Sequence, residues 1–257
     1  MNRCLHEDVG TDLGANRTAL KAFDVILNVL KNGKMPTEHD PSFTMRSTKG
    51  LYWAVLEISS LLNNSPLEHI VFMPESVGRD KGIRAAYGSY NKTPAIIMFI
   101  LPDEAVTSEK AWRSVAYAFY KEKKSFVHEF THYMDELRQT RTKYHKGSER
   151  FGDPNETFNS DGYYNSPEEF NAYYHEGLEF IHDSTLALAR GKHQAYWFKL
   201  YPDFNSFYKS KRQSFDPAFL NSLNKRNLQR LKKRLFNYYT YVSEKWSKYY
   251  TSPQANV

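Results

Sequence analysis

The sequence predicts an α+β fold, and three observations carry that expectation. Segments with apolar residues at helical spacing occupy both ends of the chain. Between them lie three short runs of strand type, and the last, residues 95 to 101 (AIIMFIL), is a continuous apolar stretch bounded by Pro94 and Pro102. Two helical stretches follow, the order expected when a helix packs on a small sheet.

Taken in order, residues 17 to 32 (RTALKAFDVILNVLKN) form an amphipathic helix that stops at Gly33. Residues 51 to 62 (LYWAVLEISSLL) are expected to form a second helix. Strands are expected at 69 to 73 (HIVFM), 85 to 90 (AAYGSY) and 95 to 101. Helices then run from about Ser108 to Tyr120 and from about Lys124 to Gln139. Residues 146 to 166 are rich in Gly, Asn, Asp, Ser and Pro and read as loop. Helices account for the rest, with breaks near Pro202 and Pro217.

The chain has 257 residues, enough for one large domain or a core with a helical extension. It is 40% hydrophobic and 25% charged, with 19 Tyr and 17 Phe, a globular composition without low-complexity tracts. The start, MNRCLHEDVGTDLG, lacks an apolar signal core, and no run reaches the length of a membrane span. A single Cys4 excludes an internal disulfide and a Cys-rich zinc ribbon. The expected location is cytoplasmic, or host cytoplasm or virion for a phage-encoded protein.

Chemistry concentrates in residues 128 to 132, His-Glu-Phe-Thr-His. On a helix His128 and His132 lie one turn apart on one face, where two neutral imidazoles supply two corners of a tetrahedral zinc site. Glu129 is placed between them to take a proton from an attacking water. Phe126, Val127, Phe130 and Tyr133 are uncharged, so the helix can be buried while presenting only its polar edge. The expectation is a zinc metalloendopeptidase with one catalytic Zn²⁺. Its element order matches that shared by zincin peptidases, which set an edge strand beside the bound peptide and a helix beneath the metal. The expected organisation is a helical N-terminal segment over residues 1 to 66, a zincin catalytic core over 67 to 190 and a helical basic extension over 191 to 257.

A catalytic zinc site needs a third protein ligand. The metzincin pattern requires His six residues after His132, and Arg138 stands there, which excludes that group. The candidates are Glu169, its neighbour Glu168, and His145, His175 or His182. Glu169 lies in Ser166-Pro167-Glu168-Glu169-Phe170-Asn171-Ala172, where Ser166 as N-cap and Pro167 at the first helical position start a helix. Ala172 would let that helix approach the motif helix closely. The same residues spell a capping box, in which Glu169 would instead fold back on the Ser166 N–H.

His128-Glu129-Phe130-Thr131-His132-Tyr133-Met134-Asp135 followed by Glu169-Phe170-Asn171-Ala172 resembles the lethal-factor type of gluzincin peptidase over roughly residues 68 to 182. That resemblance implies Glu169 as third ligand, Asp135 as hydrogen-bond partner of a ligating imidazole, and a Tyr shortly before the ligand Glu as donor to the oxyanion. Tyr164 is preferred over Tyr163 for that last role. Glu176, two turns past Glu169, is a candidate orienting carboxylate. The stretch from His145 to Phe151 resembles, more loosely, the downstream His region of SprT-type peptidases, which act on DNA-bound proteins. A third alternative is a zinc-stabilised structural or virion component without activity.

A substrate strand is expected to pair with the edge near residues 84 to 90. The net charge of +6 is concentrated in residues 225 to 248, basic with interleaved aromatics. This is either a solvated helix face or a contact for nucleic acid or an acidic partner.

Overall fold

The computed structural model describes residues 2–32, 35–48, 50–62, 67–79, 82–104, 106, 108–142 and 162–250. The fold is α+β, with a five-stranded mixed sheet and nine α-helices among the described residues. It separates into two compact units, one built from residues 17 to 144 and the other from residues 1 to 16 with 145 to 257. Helix α1 (Asn2–Lys31) contributes its first half to the second of these and its remainder to the first.

The sheet unit holds β1 (Phe43–Thr48), β2 (Leu51–Glu57), β3 (His69–Pro74), β4 (Ala85–Tyr90) and β5 (Thr93–Leu101), in the spatial order β1-β2-β3-β5-β4. β3 and β5 run parallel, and the other neighbours are antiparallel. β4 is therefore an edge strand, joined to β5 by a two-residue turn. Asn91 and Lys92 in that turn have φ of 50° and 70°, the left-handed pair that suits the twist of a tight hairpin. Short helix α2 (Glu75–Arg79) follows β3; α3 (Glu109–Lys121) and α4 (Lys123–Thr142) follow β5.

Residues 51 to 62, expected as helix, instead carry β2. Ala54 and Leu56 enter the main core while Trp53 and Val55 join a smaller cluster with Val71, Met73 and Ala95 on the opposite face. Both faces of the strand are apolar, so its two-residue alternation is hidden in the sequence and the run looks like a buried helix. β1, for which the sequence raised no expectation, supplies the partner. Its register with β2 sets Thr48 opposite Leu51, and Gly50 at φ 82° closes the turn between them. The first 66 residues are thus not wholly helical. α1 also begins earlier than residue 17; Gly10 and Gly14 dilute its sequence signal.

The strands at 69, 85 and 95 and the helices α3 and α4 stand where the sequence places them. The main core joins Phe23, Ile26 and Leu30 of α1 to Ile70, Phe72, Ile96 and Met98 of the sheet, to Trp112 and Phe119 of α3 and to Phe126, Val127, Phe130 and Tyr133 of α4. The Phe23 and Phe119 rings stack at 4.6 Å.

The helical unit contains α5 (Pro167–Arg190), α6 (Gln194–Leu200), α7 (Phe204–Lys211), α8 (Pro217–Ser222) and α9 (Lys225–Tyr250), with 3₁₀ turns at Tyr163–Asn165 and Arg212–Ser214. Leu231, Leu235, Tyr238, Val242 and Trp246 form one stripe along α9 and pack with Phe170, Tyr174 and Leu178 of α5 and with Val9 and Leu13. The first turns of α1 are tied in electrostatically. Asp12 receives two hydrogen bonds from the Arg234 guanidinium, at 2.5 and 3.2 Å, and that guanidinium lies 3.7 Å from the centre of the Tyr174 ring. None of the described helices is long and apolar enough to cross a membrane.

α5 leaves room for Phe215 by placing Gly177 under it; a Cβ at 177 would sit 2.3 Å from that ring. Phe215 is itself buried, so the ring has nowhere to retreat. Gly177→Ala is therefore expected to destabilise the helical unit by about 1–3 kcal/mol, the usual cost of overpacking, read as a lowered urea midpoint with near-native circular dichroism.

Candidate metal centre

α4 places the two motif histidines by burying its other face. Phe126, Val127, Phe130 and Tyr133 are all at most 2% exposed, which fixes the helix against the sheet and sets its polar edge. His128 is buried and His132 half-buried on that edge, one turn apart. Their Nε2 atoms face each other at 3.3 Å, with the rings inclined at 70°. Two nitrogens held about 2.0–2.1 Å from a tetrahedral zinc are separated by roughly 3.3–3.4 Å. The imidazole pair therefore has the nitrogen separation that a shared zinc ion requires.

Glu129 points toward the edge strand. Its Oε2 accepts the backbone N–H of Tyr87 at 2.6 Å. In the β4–β5 pairing Tyr87 stands opposite Ile96, and the N–H it gives to Glu129 faces away from the ladder. The Tyr87 side chain reaches α4 a second time, donating its hydroxyl to Glu136 Oε2 at 2.7 Å. Glu129 and Glu136 are seven residues apart, two helical turns, so one edge-strand residue is held at two levels of the same helix face. Further along, the Tyr133 hydroxyl accepts the Leu67 N–H at 3.1 Å. Tyr87 and Glu136 were not among the residues singled out from sequence. The seven-residue spacing of two glutamates on the motif helix was the available signal.

Asp135 is half-buried on α4, three residues beyond His132. Among the other third-ligand candidates, His175 is buried in the helical unit with Nδ1 2.6 Å from Asn16 Oδ1, and His182 Nδ1 lies 3.0 Å from the Tyr238 hydroxyl. Both are engaged in the packing of that unit. His145 lies outside the described residues, as does most of the loop expected at 146 to 166.

Glu169 is the third residue of α5. Ser166 is the N-cap, with φ −62° and ψ 148°, and its Oγ accepts the Glu169 N–H at 3.2 Å. The reciprocal half of a capping box does not form. The Ser166 N–H donates to the Tyr163 carbonyl at 3.1 Å, within the preceding 3₁₀ turn. The helix start is thereby satisfied without the Glu169 carboxylate. One ligand atom each from His128, His132 and Glu169 lies within 4.8 Å of the others, and no other such group of His, Cys, Asp or Glu occurs among the described residues. Glu168, half-buried beside it, does not join this group.

Tyr164 is buried, its ring 5.1 Å from that of Tyr173 and 6.2 Å from Phe219. Burial pushes its phenol pKa up; a hydrogen bond with Tyr173 opposes that, while the charges of Asp216 and Glu169 add to it. Tyr173, four residues after Glu169, is also shifted up, chiefly by burial, with Tyr164 and Glu169 contributing. Both hydroxyls are thus held in the protonated form, able to donate, with the Glu169 charge acting on each. Helical spacing in the sequence already sets Tyr173 on the Glu169 face, one turn on, but gives it no role.

No family model, curated protein or solved structure matches this chain.

Tyr87→Phe removes the hydroxyl bond to Glu136 but leaves the backbone bond to Glu129. It is expected to cost about 1.5–3 kcal/mol in urea denaturation, the range for one hydrogen bond to a charged acceptor.

Proposed function

We propose that the chain is a zinc-dependent metallopeptidase in which His128, His132 and Glu169 hold the metal and Glu129 acts as general base. The observation that carries this reading is the 3.3 Å separation of the two Nε2 atoms, matched to tetrahedral zinc, with a Glu169 carboxylate oxygen in the same group of ligand atoms. Two imidazoles and one carboxylate are a donor set used by catalytic zinc, which leaves a position for water or substrate. When bound, zinc lowers the pKa of water toward neutrality and polarises a carbonyl oxygen.

The chain's own groups supply the proton transfers. Glu129 follows His128 on the same helix, and the Tyr87 N–H holds its carboxylate in place. It takes the proton from water as the oxygen adds to the scissile carbonyl carbon, then delivers that proton to the departing amine nitrogen as the C–N bond breaks. Tyr164 is the proposed donor to the carbonyl oxygen as negative charge develops, with burial keeping its hydroxyl protonated. Asp135 is proposed to accept the spare ring N–H of a ligating histidine and fix its tautomer. A substrate strand would pair with the open edge of β4, whose outward N–H and C=O groups alternate along residues 85 to 90. The lethal-factor-like resemblance of residues 128 to 135 and 169 to 172 supports the same assignment.

Metal analysis and proteolysis of an unfolded protein substrate test the roles separately. Glu129→Gln is expected to retain about one zinc per chain and to lose 10²–10⁴-fold in kcat, the usual contribution of a general base. Zinc loss in that variant, or undiminished cleavage, defeats the assignment.

Glu169→Ala is expected to lose zinc under dialysis that leaves the wild type loaded, whereas His145→Ala keeps it. The reverse pattern transfers the third-ligand role to His145 and favours the SprT-like alternative. Asp135→Asn is expected to weaken zinc affinity by about 10–100-fold with the fold intact, measured by competition with a chromogenic chelator.

A further inference from the structure

The helical unit carries a surface that peptide hydrolysis leaves unused. Between Lys225 and Ser243, α9 has six cationic side chains and no carboxylate. Residues 204 to 214, which comprise α7 and the turn after it, add Lys209, Lys211 and Arg212, again without a carboxylate.

The two segments pack together. Phe204 meets Phe236 edge to face at 5.2 Å, Phe207 lies 5.4 Å from Tyr239, and the Lys232 ammonium stands 5.4 Å from the centre of the Tyr208 ring. The Arg212 charge acts on the Tyr208 phenol as well.

Three of the nine cations serve the fold. Arg234 is bound to Asp12, Arg230 to Asn171 over the Phe170 ring, and Lys211 to Ser184 beside Tyr201. Lys209, Arg212, Lys225, Arg226, Lys232 and Lys233 are exposed. Phe236 is 45% exposed and stands one turn from Lys232 and Lys233.

We propose that the α7–α9 face binds single-stranded nucleic acid, with Arg212, Lys232 and Lys233 on the phosphates and Phe236 as a stacking platform for a base. A run of cations without carboxylates attracts a polyanion. An exposed ring among them selects one whose monomers present aromatic faces. A lipid surface fits less well, because the apolar stripe of α9 that would insert is spent on the core. An acidic peptide would leave Phe236 without a purpose. None of these side chains belongs to the proposed metal-binding group.

The test is fluorescence anisotropy of labelled oligo-deoxythymidine with the full chain, at about 50 and 200 mM salt. With about three phosphates engaged on a single strand, the affinity is expected to fall roughly 20-fold across that range. Lys232→Glu with Lys233→Glu should weaken binding at least tenfold and flatten the salt dependence. Phe236→Ala should weaken it about tenfold with the salt dependence unchanged, and Phe236→Tyr should restore it. Circular dichroism matching the wild type establishes that the variants fold. Absence of binding at the lower salt overturns the proposal, as does full binding by the charge-reversed pair. Equal binding by Phe236→Ala also overturns it, as does equally strong binding to poly-glutamate or phosphatidylserine vesicles.

Discussion

Everything at the candidate centre depends on how α4 divides its two faces. Four large apolar side chains, Phe126, Val127, Phe130 and Tyr133, are sunk in the sheet core. Each contributes on the order of 1.5–3 kcal/mol of burial. That anchoring removes the freedom of the helix to roll, so the residues on its polar edge inherit a fixed direction. His128 is almost fully buried as a consequence, with its Nε2 set 3.3 Å from that of His132. The packing that stabilises the sheet unit thereby also fixes the spacing of the imidazole pair.

The edge strand is the second element of this arrangement, and its geometry follows from the topology. β4 has a sheet neighbour on one side only, so every other N–H along it faces away from the ladder. An open edge invites unwanted pairing, and here one of its groups is occupied by a carboxylate from the motif helix. The Tyr87 hydroxyl repeats the attachment at Glu136, so β4 and α4 are joined at two points rather than hinged at one. A carboxylate held by a backbone amide also has fewer rotamers available, which is the condition for proton transfer along a defined path.

Much of this was legible in the sequence, for reasons that can be named. The motif helix announced itself because burial and chemistry fall on different faces, so both the helical period and the His-x-x-x-His spacing survive in the letters. The β5 strand was visible because prolines bound it. β2 was not, since Trp53 and Val55 face one apolar cluster and Ala54 and Leu56 another, which erases the alternation that identifies a strand. β1 was hidden by the polar half of FTMRST, whose exposed residues carry no core signal. The roles of Tyr87 and Tyr173 were illegible for another reason. In a chain with 19 tyrosines, only the register of β4 against β5 and one turn of α5 distinguish these two from the rest.

Whether Glu169 closes a capping box shows where letters stop and geometry decides. Ser166-x-x-Glu169 is consistent with both roles, because a capping box and a ligating glutamate at the third helical position have the same sequence. What separates them is the destination of a single N–H. In a capping box the Ser166 amide is unsatisfied until the glutamate returns to it, and the carboxylate is consumed. Here the Tyr163–Asn165 turn runs directly into α5, and the Tyr163 carbonyl takes that amide. The turn exists because Tyr164 is buried beside Tyr173 and Phe219, which folds the chain back just before the helix. An aromatic contact made by Tyr164, five residues before Glu169, thus leaves the cap's amide satisfied without that carboxylate. The same contact sets Tyr164 and Tyr173 within the electrostatic reach of that carboxylate. Tyr164, the proposed donor, thus belongs to the same contact that lets the Tyr163 carbonyl take the cap's amide.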